Sequence, residues 1–343
     1  MTAPAIQTES LTHRYGDVEA LTDVDLTVEA GSVVGLLGHN GAGKTTLVRI
    51  LTTLLRPTRG TAQVCGFDVI AASNEVRARI GLTGQYAAVD DDLTGQENLK
   101  MVARLLGLPA AQVRSRSREL LDQLGLVNHA DRLARHYSGG LRRRLDLAAS
   151  LVSRPQVLFL DEPTTGLDPT SRQELWAAIS SLARSGTTVL LTTHYLEEAD
   201  RLADRIVLID RGSIVADGTP SELKRRIGGY MIDLTLAGPE DRDRASGALA
   251  SLSTAPPTPF GERGLSVPIA DTETVLPALR SLGTAEVTIE GLEVHTPTLD
   301  DVFVAITGEA AERDPTGQPD QPTDRTTRRG SRRRRRAYER EQV

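Results

Sequence analysis

The apolar run Ser32-Val33-Val34-Gly35-Leu36-Leu37 stops at Gly38, and the loop Gly38-His39-Asn40-Gly41-Ala42-Gly43-Lys44-Thr45 leads directly into a segment with Leu47, Ile50, Leu51 and Leu54 at helical spacing. A buried strand, a glycine loop and a helix in this order constrain the fold more than any other feature of the chain. The loop leaves the strand at a sheet edge, and the helix behind it presents unpaired backbone N–H groups and the positive end of its dipole. Within that loop the glycines allow N–H groups to wrap phosphates. Lys44 would neutralise β and γ phosphates, and Thr45, followed by Thr46, would offer a hydroxyl to Mg²⁺. Lysine is rare here, only Lys44, Lys100 and Lys224, so one at the phosphate-loop position carries weight.

Around this unit the pattern predicts an α/β fold with a P-loop ATPase core, an inserted helical subdomain and a small C-terminal α/β domain. Strands are expected at Ala5–Tyr15, Leu21–Ala30 and Ser32–Leu37, then a helix at Lys44–Leu54. A helix-rich stretch runs from Leu93 to Ser153, and strands at Gln156–Leu160 and Thr187–Thr193 return to the sheet. Residues 1–228 would form the ATPase domain, with the helical subdomain at about 86–153. From Gly229 to Gly308 the elements shorten: strand Met231–Leu236, helix Glu240–Leu252, strand Gly264–Ile269, helix Glu273–Leu282, strand Glu286–His295 and helix Leu299–Ile306. Residues 309–343, rich in Pro, Thr, Gly, Asp and Arg, lack apolar periodicity and are expected to be a disordered tail. No internal repeat is visible.

Net charge is −6, but residues 313–343 carry +5, which leaves an acidic body with a basic tail. That balance does not suggest a nucleic-acid-binding domain. The single cysteine, Cys65, excludes an intramolecular disulfide. Met1–Leu11 lacks the basic start and apolar run of a signal peptide, and no apolar stretch approaches the ~18–20 residues of a membrane span. A soluble chain that docks on a membrane protein is the expectation.

Further residues carry chemistry. The apolar strand Val157–Leu160 ends in Asp161-Glu162, two carboxylates at the edge where parallel sheets place ligands. Asp161 would hold Mg²⁺ and Glu162 would polarise the attacking water as general base, unless the pair is simply a solvated turn before Pro163. Tyr137-Ser138-Gly139-Gly140-Leu141 opens the helix Leu141–Ser153, with Ser138 as its N-cap. Its free N–H groups could meet a γ-phosphate or form an ordinary cap. Arg142, Arg143 and Arg144 are read as the start of that helix's polar side. His194, after Thr187–Thr193, could reach the γ-phosphate or the water beside Glu162, although a His there is also a common surface residue. Gln85 could sense Mg²⁺ between core and helical subdomain, and Tyr15 could stack on adenine or merely pack.

Tyr15, the Gly38–Thr45 loop, Gln85, Ser138–Leu141, Asp161-Glu162, Gly166-Leu167-Asp168 and His194, in this order, resemble the ATP-binding subunits of ABC transporters over residues 5 to 225. The resemblance implies a head-to-tail homodimer with each ATP between one chain's Lys44 and the other's Ser138, and Asp168 at the seam. It also implies a separate multi-span membrane permease and a peripheral position on the cytoplasmic face of the membrane. Where that family's signature begins with Leu and ends in Gln, this chain has Tyr137 and Leu141. Tyr-Ser-Gly-Gly with its Arg run, Leu82-Thr83-Gly84-Gln85-Tyr86 and Thr298-Leu299-Asp300-Asp301-Val302-Phe303 look like the daunorubicin-resistance type of drug-export ATPase. An alternative is a soluble ABC ATPase acting on nucleic acid or ribosomes. An importer ATPase is a third, disfavoured by Thr298–Phe303. Tyr86–Leu99, with Asp90, Asp91 and Asp92, is a candidate permease-facing surface or a solvated acidic loop. Arg332–Arg336 could touch an anionic leaflet or remain solvated.

Overall fold

The sheet that carries the phosphate loop is buried on both faces because alternate residues of each strand feed different cores. The computed structural model describes residues 3–84 and 89–307, all within one unit, Met1–Glu312. In chain order, strands β1 (Ile6–Tyr15), β2 (Val18–Val28) and β3 (Val33–Leu37) precede helix α1 (Lys44–Leu51). Strands β4 (Arg59–Val64) and β5 (Phe67–Asp68), helix α2 (Ser73–Arg77) and strand β6 (Ile80–Thr83) follow. Three helices, α3 (Gly95–Leu105), α4 (Ala110–Gln123) and α5 (Gly139–Ser150), lead to β7 (Val157–Asp161), α6 (Pro169–Arg184), β8 (Thr188–Thr193), α7 (Leu196–Leu202), β9 (Arg205–Asp210), β10 (Ser213–Gly218) and α8 (Pro220–Ile227). The last part is β11 (Tyr230–Leu236), α9 (Arg242–Leu249), β12 (Thr258–Phe260), β13 (Gly264–Ile269), α10 (Val275–Thr284), β14 (Ile289–His295) and α11 (Leu299–Thr307).

The main sheet runs β10-β9-β3-β8-β7-β6, with β9 through β6 parallel and β10 antiparallel at the edge. From its strands Val34, Leu36, Val157, Phe159, Leu190 and Ile209 face a core shared with α1 and the antiparallel sheet β2-β1-β4-β5. Val33, Leu158, Leu160, Val189 and Leu191 face the other way, onto Trp176 and Ile179 of α6 and the leucines of α3 to α5. Such two-sided burial explains why these strands read as unbroken apolar runs. Within the helical part Thr94 and Glu97 form a capping box that fixes the start of α3.

A third sheet, β12-β13-β11-β14, has its own core of Ile232, Leu234, Val267, Leu249 and Leu282. The final helix α11 does not join that core. Its Leu299, Val302 and Phe303 pack with Leu196, Ala199, Leu223 and Ile227 of α7 and α8. The α1 helix is shorter than its apolar spacing predicts: it ends at Leu51 with Thr52 as its C-cap, and Thr53 takes a left-handed φ of 66°. Helix Arg242–Leu249 likewise falls short of Glu240–Leu252, since its first residues form a separate 3₁₀ turn, Pro239–Asp241. Strands β4, β5, β6, β9, β10 and β12 were not anticipated from the sequence; β4, an inner strand between β1 and β5, is mostly exposed. Gln85, Tyr86 and the 309–343 tail lie outside the described residues.

Candidate functional site

Parallel register gathers the site. Leu37 of β3 pairs with Thr193 of β8, and Asp161 of β7 pairs with Thr192, so the residues that follow, Gly38, His194 and Glu162, emerge at one sheet edge. At Gly38 a Cβ would lie 2.3 Å from the Ile209 carbonyl oxygen, so only glycine allows the loop to leave β3 this close to β9. Gly43, with φ 111°, begins α1 against the backbone of Ala20, and no side chain caps that helix start. The first amides of α1 therefore carry no side-chain cap, as at helix starts that bind anions. Gly41 has open space around its Cβ direction, and Ala42 is fully buried.

Lys44 is 5% exposed, and its Nζ donates to the Gly38 and His39 carbonyls at 2.6 and 3.0 Å, spanning the loop. His39 ties the loop to the end of β9: its Nε2 lies 2.8 Å from Asp210 Oδ1, and its Nδ1 lies 2.7 Å from the Asn40 carbonyl. Thr45 and Thr46 are half-buried in the first turn of α1. Thr45 Oγ1 donates to Asp161 Oδ1 at 3.5 Å, and Thr192 Oγ1 donates to the same oxygen at 2.5 Å. A hydroxyl and a buried carboxylate side by side, with a helix start that no side chain caps and an ammonium, fit a magnesium nucleotide.

Glu162 has a φ of 48°, a conformation that non-glycine residues rarely adopt. Its amide is held by the Thr192 carbonyl and hydroxyl, both at 3.1 Å. His194 Nδ1 stands 3.3 Å from Glu162 Oε1, an ion-pair approach outside hydrogen-bond alignment. The close His194 side chain, against the opposing effect of burial, and then the charges of His194 and Lys44 hold the Glu162 carboxyl below its ordinary range. Tyr195 lies against the His194 ring, centroids 4.1 Å apart, and the Arg172 guanidinium lies over the Tyr195 ring at 5.0 Å.

Ser138 caps α5 by accepting from the Leu141 amide at 3.3 Å, and Asp168 caps α6 by accepting from the Ser171 amide and hydroxyl. Ser171's hydroxyl and amide hold the Asp168 carboxyl below its usual range. The two helix starts touch, since a Cβ on Gly140 would sit 2.6 Å from Ser171 Cβ. Tyr137 is anchored by its hydroxyl, which donates to the His129 carbonyl at 2.6 Å. Tyr15 is 45% exposed at the end of β1 and packs edge-on to His13; β2, its hairpin partner, meets Gly43 through Ala20. Gln85 lies outside the described residues.

The arginine run, read as the start of the polar side of α5, makes specific polar contacts. Three consecutive residues on a helix point about 100° apart, and each guanidinium finds its own partner. Arg142 pairs with Asp91 at 2.5 Å, Arg144 with Glu174 at 3.1 Å, and Arg143 is half-buried, its Nη2 donating to the Asp161 carbonyl at the end of β7 at 3.1 Å. Asp92 pairs with Arg135 at 2.9 Å, so two of the acids in the candidate permease-facing loop already serve contacts within the chain. Apolar patterning also missed Thr192, which orients Asp161, and the buried Glu198, which accepts from Trp176 Nε1 at 2.9 Å.

Fold and site together define a P-loop ATPase of the cassette class. The chain matches the ABC transporter family over residues 21–165 and the C-terminal domain of ATP-binding proteins like DrrA1-3 over residues 218–307. It is 50% identical over 310 residues to the daunorubicin resistance ATP-binding protein DrrA2 of Streptomyces coeruleorubidus, covering 90% of this chain and 96% of that one. With the doxorubicin resistance ATP-binding protein DrrA of Mycobacterium tuberculosis it shares 46% identity, covering 88% and 92%. Among solved structures, an ATP-binding subunit of an ABC transporter superposes with a TM-score of 0.59 at 27% identity, over 65% of this chain and 92% of that one. A dimeric bacterial ABC transporter cassette superposes with a TM-score of 0.57 at 25% identity, over 62% and 98%. The chain belongs to the ABC transporter ATP-binding proteins and, within them, to the daunorubicin and doxorubicin resistance type. It is an ATPase that binds ATP, and these matches do not favour the nucleic-acid or ribosome alternative.

Proposed function

We propose that this chain energises efflux of a drug or antibiotic-like compound through a separate multi-span permease, docked on the cytoplasmic face of the membrane. No helix among the described residues is long and apolar enough to cross a membrane, and the relatives are drug-resistance ATP-binding proteins. The observation that supports the reading most is the convergence of Lys44, Thr45, Asp161, Glu162 and His194 at one sheet edge. In this reading two copies close head to tail. Lys44 and the amides of Gly41–Thr46 bind the β and γ phosphates, His39 and Asn40 shape the loop, and Tyr15 stacks on adenine. Ser138, Gly139 and Gly140 of the other copy cover the γ-phosphate, with Asp168 at the seam. Thr45, Asp161 and Gln85 would hold Mg²⁺, which when bound supplies charge neutralisation across the β and γ oxygens.

Glu162, ionised at neutral pH like any carboxylate in or below the ordinary range, polarises the attacking water. His194 orients that water and the γ-phosphate beside it. Two measurements test the proposal. The Glu162→Gln variant should bind ATP yet lose about 10²–10⁴-fold in turnover; hydrolysis at the parent rate refutes the assignment. Tagged parent chain purified from membranes in mild detergent should bring down a multi-span permease in near-equal amount, whereas ribosomes or nucleic acid without a membrane protein would refute the exporter reading.

A further inference from the structure

Arg143 makes a set of contacts that the nucleotide chemistry leaves unexplained. It lies one turn inside α5, five residues after Ser138, and its guanidinium leaves the helix toward the end of β7. There Nε donates to the Pro163 carbonyl at 2.7 Å, and Nη2 donates to the Asp161 and Glu162 carbonyls, each at 3.1 Å. Its Nη1 donates to the Gly84 carbonyl at 2.7 Å, at the exit of β6, and lies 3.4 Å from the buried Asp146 carboxylate. Three successive carbonyls around Glu162 therefore converge on one side chain from another element. Only a planar fork with five donors can satisfy such a set; an ammonium is a point charge and cannot span it.

Two facts make this more than packing. Glu162 holds a sparsely populated left-handed backbone, which persists only where its surroundings fix it. The helix that supplies the fixing group is also the one whose start carries Ser138, Gly139 and Gly140. We propose that Arg143 is a positioning residue that links the α5 start, which meets one ATP, to the catalytic carboxylate of its own chain, which acts on the other. Docking of a γ-phosphate on Ser138–Gly140 then sets the Glu162 carboxylate through one rigid helix and one guanidinium. This link rests on the head-to-tail dimer proposed above.

Steady-state ATPase measurements on Arg143→Gln, Glu162→Gln and the double variant test the link. Arg143→Gln should lower kcat by about 10²-fold, the loss typical of a misplaced reacting group, with the ATP KM unchanged. In the Glu162→Gln background it should cost no further turnover, because both changes act through one carboxylate. A folded Arg143→Gln with parental kcat overturns the proposal, as do losses that simply multiply in the double variant. Should Arg143→Gln not fold, Arg143→Lys retains the charge beside Asp146 but cannot reach all four carbonyls. It should show the same kcat loss at unchanged KM, and parental kcat there also overturns the link. ATP-driven dimerisation is measured separately on Glu162→Gln: a chain that stays monomeric with ATP bound counts against the dimer reading, whereas the kcat data judge Arg143.

Discussion

Glu162 shows how one residue's environment sets both its chemistry and its pH response. His194 and Lys44 hold its carboxyl below the usual range, so relative to a free glutamate, near 4.3, it stays ionised to lower pH. Its interaction stabilises the fold above the unfolded value and is lost as pH falls through the folded value. Removing the imidazole with His194→Ala should therefore move the acid limb of the ATPase pH profile upward. A limb that does not move would show that His194 is not the dominant influence. The buried Glu198 is the opposite case: burial raises its carboxyl, so its contribution is full below the unfolded value and lost as pH rises through the folded one. Glu198→Gln keeps an acceptor for Trp176, and its Tm relative to the parent should rise between about pH 4.3 and neutrality. Glu198→Ala leaves the indole N–H unpaired and should cost about 1–3 kcal/mol in a denaturant titration.

At the scale of elements, the contact between the starts of α5 and α6 is the most demanding packing in the site. A Cβ at residue 140 would stand 2.3 Å from Ser171 Oγ and 2.6 Å from its Cβ, too close for side-chain rotation alone to relieve. Gly140→Ala should therefore displace the helix start and cut ATP turnover sharply, and Ser171→Gly in the same chain should restore part of it. No rescue would mean that the glycine serves the phosphate alone. The strand, loop and helix around Lys44 were legible because a doubly buried parallel strand leaves an apolar run, and because phosphate binding needs glycine where backbone must approach backbone. The role of Arg143 was not legible. Side chains that cap orphan carbonyls at a strand end leave no periodic trace, and three adjacent arginines read only as the polar side of a helix until the strand end that Arg143 meets is known. Strand β4 was missed for a related reason, since only Ala62 and Val64 of it are buried.

Across the whole molecule, the account rests on an ATP site completed by a second copy of the chain. The packing of α11 on α7, the helix that follows His194, joins the C-terminal segment to the same edge of the ATPase core. The most direct test is sedimentation of Glu162→Gln with ATP and Mg²⁺, beside the same chain carrying Ser138→Arg, with bound nucleotide measured in both. The account predicts that Glu162→Gln forms a dimer and that the added Ser138→Arg leaves a monomer still holding ATP. A Glu162→Gln chain that remains monomeric with ATP bound, or an equally stable dimer with Ser138→Arg, would contradict it.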